Sequence, residues 1–317
     1  MLKKVFSLAM AAAMSFSLVA CGSSGDKESS QSADPSSFEP IVLKFGNQHP
    51  TDSIASEADR RICDAIAEAT EGRVTVELHT DSSLGDYTSI FEEVMMGTID
   101  MCHITAVETY DARMSGAMLP YLGSNYEELA KAYDPDNYLY QTVYEVAQGL
   151  GIHTFGFFCE GFSGVGVAKD LGFRTSTIAY SDTYTGIQTG SVDGWVGGPP
   201  NLNYLYFRDV IDYYYHYMLT QEATQIMMSE KTWQKLLPQD QEAIDKIIKE
   251  ECANSFQLAA EDDAKYMQMM ADEGITIVEF TDEERAAMAE SCRTNVWPQL
   301  AKNTSQEFLD NILASLE

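Results

Sequence analysis

Hydrophobic and polar positions follow two different periods along the chain from residue 41 onward. Apolar residues occupy every second position in some segments, as in a half-buried strand, and every third or fourth position in others, as in an amphipathic helix. The periods predict strands at 41–45, 74–78, 99–104 and 153–158, and helices at 62–69, 88–96 and 126–148. This alternation predicts an α/β fold in which helices cover a sheet, and such sheets bind ligands beyond their strand ends.

A longer helical pattern runs without a breaker from Pro238 to about Glu273. One face of it stays apolar, at Ile244, Ile248, Cys252, Phe256 and Ala259. At 1.5 Å per residue such a helix spans roughly 50 Å, which exceeds the width of one lobe. We therefore expect one long helix that braces two lobes, followed by shorter helices with capping boxes at 281–284 and 304–307.

The chain is strongly acidic: its 317 residues include 49 Asp and Glu against 20 Lys and Arg, a formal charge of −29. Such a surface repels nucleic acid and anionic lipid headgroups, so no nucleic-acid partner is expected. The sequence contains no motif of an exported hydrolase, such as G-x-S-x-G or H-E-x-x-H. These features favour a binding protein over an enzyme.

The N terminus has the organisation of a bacterial lipoprotein leader. Lys3 and Lys4 precede an apolar run over 5–20 that is shorter than a membrane span, which predicts a signal peptide at residues 1–20. The run ends in LVACG, which resembles a lipobox with Cys21 as the lipidated residue; the alternative is an ordinary cleavage site that a cysteine happens to follow. Residues 21–40 lack an apolar period and predict a flexible linker. We expect an extracytoplasmic protein that its N-terminal lipid anchors to the cell membrane.

The five remaining cysteines are widely spaced and form no C-x-x-C pair. An odd number in an exported chain leaves at least one thiol unpaired. We expect buried free thiols.

Three segments together resemble a known family. They read FEEVMMGTIDM (91–101, after the Ser-Leu-Gly of 83–85), YSDTYTGIQTGSVDG (180–194) and KTWQKLLPQDQ (231–241). In this order they resemble the DctP-type solute-binding proteins of TRAP (tripartite ATP-independent periplasmic) transporters. The resemblance implies a non-enzymatic protein that closes two lobes around one small organic acid and works with a membrane-integral permease. It implies lobe 1 at 41–155 plus 223–256 and lobe 2 at 156–222 plus 257–317.

The second lobe departs from the family pattern near residue 170. Family members hold a carboxylate with an arginine on a strand that should follow Lys169 and Asp170, but here the chain runs directly into LGFR at 171–174. About twenty family residues, with that arginine, are missing by this interpretation. Arg174 is a candidate substitute as carboxylate partner, and the alternative is an exposed residue on a loop.

Trp195 and Glu222 stand where the family's 2-oxo and 2-hydroxy acid branch binds a cation that bridges to the acid. The resemblance therefore implies a calcium or sodium site at Trp195 and Glu222, although no cofactor is required. A hard cation takes oxygen ligands, which a glutamate carboxylate and the Trp195 carbonyl supply. Glu160 is a candidate for a further polar contact with the solute. The alternatives are a core tryptophan and two surface glutamates.

Four other residues complete the candidate ligand-binding set. Phe162 and Tyr184 are candidates for the walls of a largely apolar pocket. Asn203 could donate to the ligand, although an asparagine in a Pro-rich turn is usually structural. His49 lies in the first strand-to-helix loop, where a contact at the rim is expected.

Two alternative functions stay open within this family resemblance. One is a sensory binding lipoprotein whose partner is a receptor instead of a permease. The other is a degenerate member that folds but does not bind, because the strand near residue 170 is missing.

Overall fold

Two separate sheets form the framework of the computed structural model, which describes residues 39–105, 107–167 and 180–316. The strands are β1 (Ile41–Asn47), β2 (Val74–His79), β3 (Met101–Thr105), β4 (Ile152–Phe162), β5 (Val165–Val167), β6 (Gly194–Val196), β7 (Tyr213–Tyr215), β8 (Gln221–Ser229) and β9 (Thr276–Val278). The first sheet has the order β2-β1-β3-β8-β4 and the second β6-β5-β7-β9. This mixed arrangement confirms the predicted α/β fold class.

Helices connect these strands. They are α1 (Ile54–Ala69), α2 (Tyr87–Met96), α3 (Tyr126–Ala132), α4 (Tyr138–Gly149), α5 (Tyr180–Thr189), α6 (Pro200–Phe207), α7 (Glu230–Trp233), α8 (Pro238–Asp272), α9 (Asp282–Asn295), α10 (Trp297–Leu300) and α11 (Gln306–Leu316), with a 3-10 helix at Ala112–Met118. None of the helices in the described ranges is both long and apolar enough to cross a membrane.

The first sheet is covered on both faces. Ile62 of α1 and Ile248 of α8 are buried in one core cluster, and Phe91 of α2 is buried in another with Ile104 of β3. β1, β3 and β4 run parallel and β8 runs antiparallel to them. The carboxyl ends of β1, β3 and β4 therefore share one edge with the start of β8.

The chain passes between the two sheets at two neighbouring places. Ser163 and Gly164 connect β4 to β5, and residues 216–220 connect β7 to β8. The two passages are joined, because the backbone N–H of Ser163 donates to the carbonyl of Thr220 at 2.7 Å. The two sheets divide after Phe162, the last residue of β4, and before Gln221, the first residue of β8.

Helix α8 confirms the predicted brace. Its N-terminal half, including Ile248, packs into the core of the first sheet. Phe256 and Ala259 pack into a central cluster that includes side chains of α3, α4 and α11, and Met270 packs into the core of the second sheet. One 35-residue helix thus contacts three apolar clusters.

Two predicted details are wrong. The helix expected over 126–148 is two helices, α3 and α4, and Asn137 begins the second by accepting the N–H of Leu139. The last helix is capped by Ser305 instead of Thr304, because Ser305 accepts the N–H of Phe308 while the Thr304 hydroxyl donates to a preceding carbonyl. The capping box of Thr281 and Glu284 is present as expected.

All five cysteines of the described ranges are free, and four of them are buried. The expectation of buried free thiols is therefore confirmed except at Cys63, which is only partly buried.

Candidate functional site

A chain of buried polar side chains crosses the strand-end edge of the first sheet. The amide of Asn47, the last residue of β1, donates to Asp59 of α1 at 2.6 Å. The other carboxylate oxygen of Asp59 lies 2.8 Å from Nδ1 of His103 on β3, and Nε2 of His103 lies 2.8 Å from the hydroxyl of Thr224 on β8. Thr224 in turn contacts Glu160 of β4 at 3.2 Å. We call Asn47, Asp59, His103, Thr224 and Glu160 the polar relay.

Glu160 enters this relay through an irregularity in β4. The register against β8 shifts between Cys159 and Gly161, so Glu160 is an extra residue in the strand. A bulge of this kind re-aims a side chain and is frequent beside functional sites. Gly161 takes φ 128°, a backbone conformation that glycine adopts without strain.

His49 closes the end of the relay. Its Nδ1 lies 3.1 Å from Oε1 of Glu160, and both side chains are about 95% buried. Burial alone would lower the pKa of His49, but the charge of Glu160, with smaller contributions from Asp59 and Glu222, raises it above its usual value. Burial likewise opposes ionisation of Glu160, yet His49 keeps the pKa of that carboxyl below its usual value. Each group therefore favours the charged form of the other.

Glu222 is a second carboxylate close to this pair. It lies opposite Gly161 in the sheet and accepts a hydrogen bond from the Ser163 hydroxyl at 3.3 Å and another from the Gly198 amide. Burial and the negative charge of Glu160 raise the pKa of Glu222 to about 7. No lysine or arginine of the described ranges pairs with either carboxylate.

Trp195 and Asn203 together hold the loop 197–199, which faces Glu222 through Gly198. The indole N–H of Trp195 donates to the side-chain oxygen of Asn203 at 2.9 Å, and the Asn203 amide donates to the carbonyls of Gly197, Gly198 and Pro199 at 3.0–3.3 Å. Asn203 is fully buried. The Asn203 amide is thus hydrogen-bonded to the protein itself. This is the structural role that the sequence analysis gave as the alternative to a ligand contact. Glu222 meets this loop at Gly198, three residues after Trp195.

The remaining predicted residues are dispersed. Phe162 is fully buried in the central core cluster, where its ring meets Tyr126 edge-on at 5.0 Å. Tyr184 is partly buried against the core of the second sheet. Arg174 and Cys21 lie outside the described residues, as does the segment near residue 170 where the family pattern breaks.

Asp263 of α8 is a buried site that sequence analysis missed. It accepts hydrogen bonds from the Tyr126 hydroxyl and from the Phe162 N–H, and it lies 4.0 Å from His216. Of these partners, Phe162 and His216 stand where the chain passes between the sheets. The signal was present in the sequence, because residue 263 continues the apolar face that contains Phe256 and Ala259.

The described ranges contain no group of three or more His, Cys, Asp or Glu side chains that could hold a metal ion. A cation at Glu222 would therefore need further oxygen ligands from the backbone and from the solute itself.

The family model for "bacterial extracellular solute-binding protein, family 7", named DctP, matches residues 45–169 and 163–303. The sialic acid-binding periplasmic protein SiaP of Vibrio cholerae is 21% identical over 74% of this chain and 82% of its own length. The C4-dicarboxylate-binding periplasmic protein DctP of Rhodobacter capsulatus is 22% identical over 89% of this chain and 92% of its own.

Solved structures of TRAP periplasmic solute-binding proteins share the fold. One from Ochrobactrum anthropi has a TM-score of 0.79 at 17% identity and covers 88% of this chain and 95% of its own. One from Roseobacter denitrificans, with bound L-galactonate, has a TM-score of 0.73 at 18% identity and covers 89% and 100%. Because the family and these relatives are binding proteins, the expectation of a non-enzymatic protein is confirmed. The chain belongs to the DctP family of extracellular solute-binding proteins that serve TRAP transporters.

Proposed function

We propose that this protein captures a small organic acid outside the cytoplasm and delivers it to the membrane permease of a TRAP transporter. The observation that carries the proposal is the cluster of His49, Glu160 and Glu222, because it places ionisable groups where α/β sheets bind ligands. Acids are supported as the solute class by the relatives, whose names refer to sialic acid and C4-dicarboxylates, and by the L-galactonate in a similar structure.

The solute in this proposal is a 2-oxo or 2-hydroxy monocarboxylate, bridged to the protein by a calcium or sodium ion. Glu222 and the backbone carbonyl of Trp195 are the protein ligands of that ion. The charges of the site support a cation, since Glu222, unlike Glu160, is not hydrogen-bonded to a histidine and its carboxylate would otherwise repel an acid. A hard cation would neutralise Glu222 and offer its remaining coordination positions to the carboxylate and the adjacent oxygen of the solute.

Two further features belong to this proposal. The lipid on Cys21 holds the protein beside the membrane, and the second lobe is shortened near residue 170. The shortening is supported by the family match, which falls into two pieces that meet at 163–169. Binding then depends on partners other than the family arginine of the missing strand.

Thermal unfolding with a panel of acids tests the proposal. A ligand at 100 times its Kd stabilises a native protein by about 2.7 kcal/mol. We expect stabilisation by 2-oxo and 2-hydroxy monocarboxylates, loss of that stabilisation when a chelator removes calcium or when sodium is left out of the buffer, and none with the corresponding neutral amides. A response to sugar acids or dicarboxylates alone would reject the narrower solute class. A response that survives both chelator and sodium-free buffer would reject the cation, and no response to any acid would indicate a member that does not bind.

A further inference from the structure

We propose that His49 binds the carboxylate of the solute through the N–H at Nε2, and that the polar relay positions it for this contact. The inference rests on the proposed function and deepens it, because it names the group that recognises the acid if the family arginine is missing, as proposed above.

The two nitrogens of His49 have different surroundings. Nδ1 is paired with Glu160 at 3.1 Å, whereas Nε2 is buried and has no hydrogen-bond partner among the described residues. A buried polar atom without a partner is costly, and each such atom in a folded protein calls for an explanation. His49 stands at the strand-end edge, so a bound acid is the partner that explains the orphaned nitrogen.

The relay fixes which hydrogen His49 offers. Glu160 can only accept at Nδ1, so Nδ1 carries a proton and Nε2 is left to face a ligand. The groups around the ring come from four elements: Asp59 of α1, His103 of β3, Glu160 of β4 and Glu222 of β8. Three of them are acids, and together they favour the doubly protonated ring whose Nε2–H is a charge-assisted donor.

The backbone around His49 is fixed as well. The His49 N–H donates to the side-chain oxygen of Asn47 at 3.1 Å, while the amide of Asn47 is held by Ser56 and Asp59. Asn47 therefore links the position of His49 in the loop to the acid at the far end of the relay. A network in which every member is hydrogen-bonded holds its ends rigidly.

A histidine binds a carboxylate with a different geometry from an arginine. A guanidinium holds both oxygens of a carboxylate, whereas an imidazole N–H holds one. The second oxygen then stays free for the cation proposed at Glu222. His49 and Glu222 are in this way complementary halves of one carboxylate site.

Calorimetric titration with lactate and pyruvate tests the proposal on the full-length protein. We expect His49→Gln to weaken binding at least tenfold, because it removes the charge of the donor. The matched control is His153→Gln, which removes a histidine at the opposite end of β4, where the ring stacks on Trp233. This control should bind within twofold of wild type.

Glu160→Gln tests the positioning role of the relay. It replaces the negative acceptor at Nδ1, so His49 should lose its proton at a lower pH and the affinity should fall off at a correspondingly lower pH than in wild type. Histidine 15N NMR on the wild-type protein needs no variant. It should show both His49 nitrogens protonated over the pH range in which the affinity is highest, and a shift of Nε2 when lactate binds.

The outcomes separate the two proposals. If wild type binds an acid and His49→Gln binds it within twofold, with no change at Nε2 by NMR, the role of His49 is overturned and the proposed function stands. If wild type binds no acid at all, both are overturned.

Discussion

Three buried acidic side chains differ in the partners that stabilise their carboxyl groups. Asp59 is bonded to Asn47 and His103, and Glu160 to His49. Asp263 is held by the Tyr126 hydroxyl and the Phe162 amide, and its Oδ1 has no partner in the described part of the chain. Burial therefore dominates at Asp263 and raises its pKa to about 8, so this carboxyl is mostly protonated at neutral pH.

Asp263→Asn is expected to change how stability depends on pH. The carboxyl keeps its proton in the folded protein up to about pH 8, whereas it loses it near pH 4 when unfolded. The unfolded state thus binds fewer protons in this window, and wild-type stability falls as the pH rises. Asparagine does not ionise, so the variant lacks this loss. The free energy of unfolding of Asp263→Asn, relative to that of wild type, should therefore rise by about 1.4 kcal/mol per pH unit between pH 4 and 8.

Urea unfolding across that range measures the difference. His216, whose pKa is lowered to about 4 by burial and Arg285, is present in both proteins, so its own titration largely cancels in the comparison. Asp272→Asn is the matched control, because it removes a solvent-exposed carboxylate from the end of the same helix. A difference between Asp263→Asn and wild type that stays constant with pH would mean that Asp263 is ionised in the folded protein.

At the residue scale, the sequence identified groups by type and position but not their partners. The sequence predicts His49, Glu160 and Glu222 as separate candidates, and the structure brings them together. The sequence does not point to Asp59 and His103, because the hydrogen bond that makes them important joins a helix and a strand 44 residues apart. Only folding brings such partners within hydrogen-bonding distance.

At the scale of elements, the irregularity in β4 depends on a single glycine. A side chain at Gly161 would place its Cβ 2.7 Å from Cβ of Pro199 and against Asp263, and it would have to adopt φ 128°. Both the contact and the backbone conformation are unfavourable for any other residue. The position of the Glu160 side chain therefore depends on a glycine at residue 161.

Gly161→Ala is expected to destabilise the protein by roughly 2 to 3 kcal/mol and to weaken acid binding by displacing Glu160. Gly149→Ala is the matched control, since that residue ends α4 with no heavy atom within 4 Å of the added Cβ. It should be neutral or stabilising by up to about 1 kcal/mol. Urea unfolding measures both; equal stabilities would show that β4 accommodates the alanine.

Long periodic elements were the most predictable. Helix α8 was expected at 238–273 and is observed at Pro238–Asp272. The second sheet was not predicted in detail, because β5, β6, β7 and β9 have three residues each and are too short to display a period. Sheet order was likewise outside the reach of pattern analysis, since β8 inserts between β3 and β4 although it follows them by many residues.

At the scale of the whole molecule, few connections join the two sheets. The chain passes between them at 163–164 and 216–220, and α8 packs against the cores of both. Two adjacent passages and one helix form a hinge geometry, in which a few residues at element ends absorb the change in backbone angles. A ligand can drive closure only if it binds the closed form more tightly than the open one.

Small-angle X-ray scattering tests this closure. In the proposed complex an acid bridges His49 and Glu222 to the loop that follows Trp195 in the second sheet, so it should make more contacts when the two sheets approach each other. Saturation with the acid that stabilises the protein should therefore reduce the radius of gyration, while its neutral amide should leave the value unchanged. If calorimetry records tight binding and the radius of gyration stays constant, the two sheets are fixed relative to each other, and the protein recognises its solute without closing.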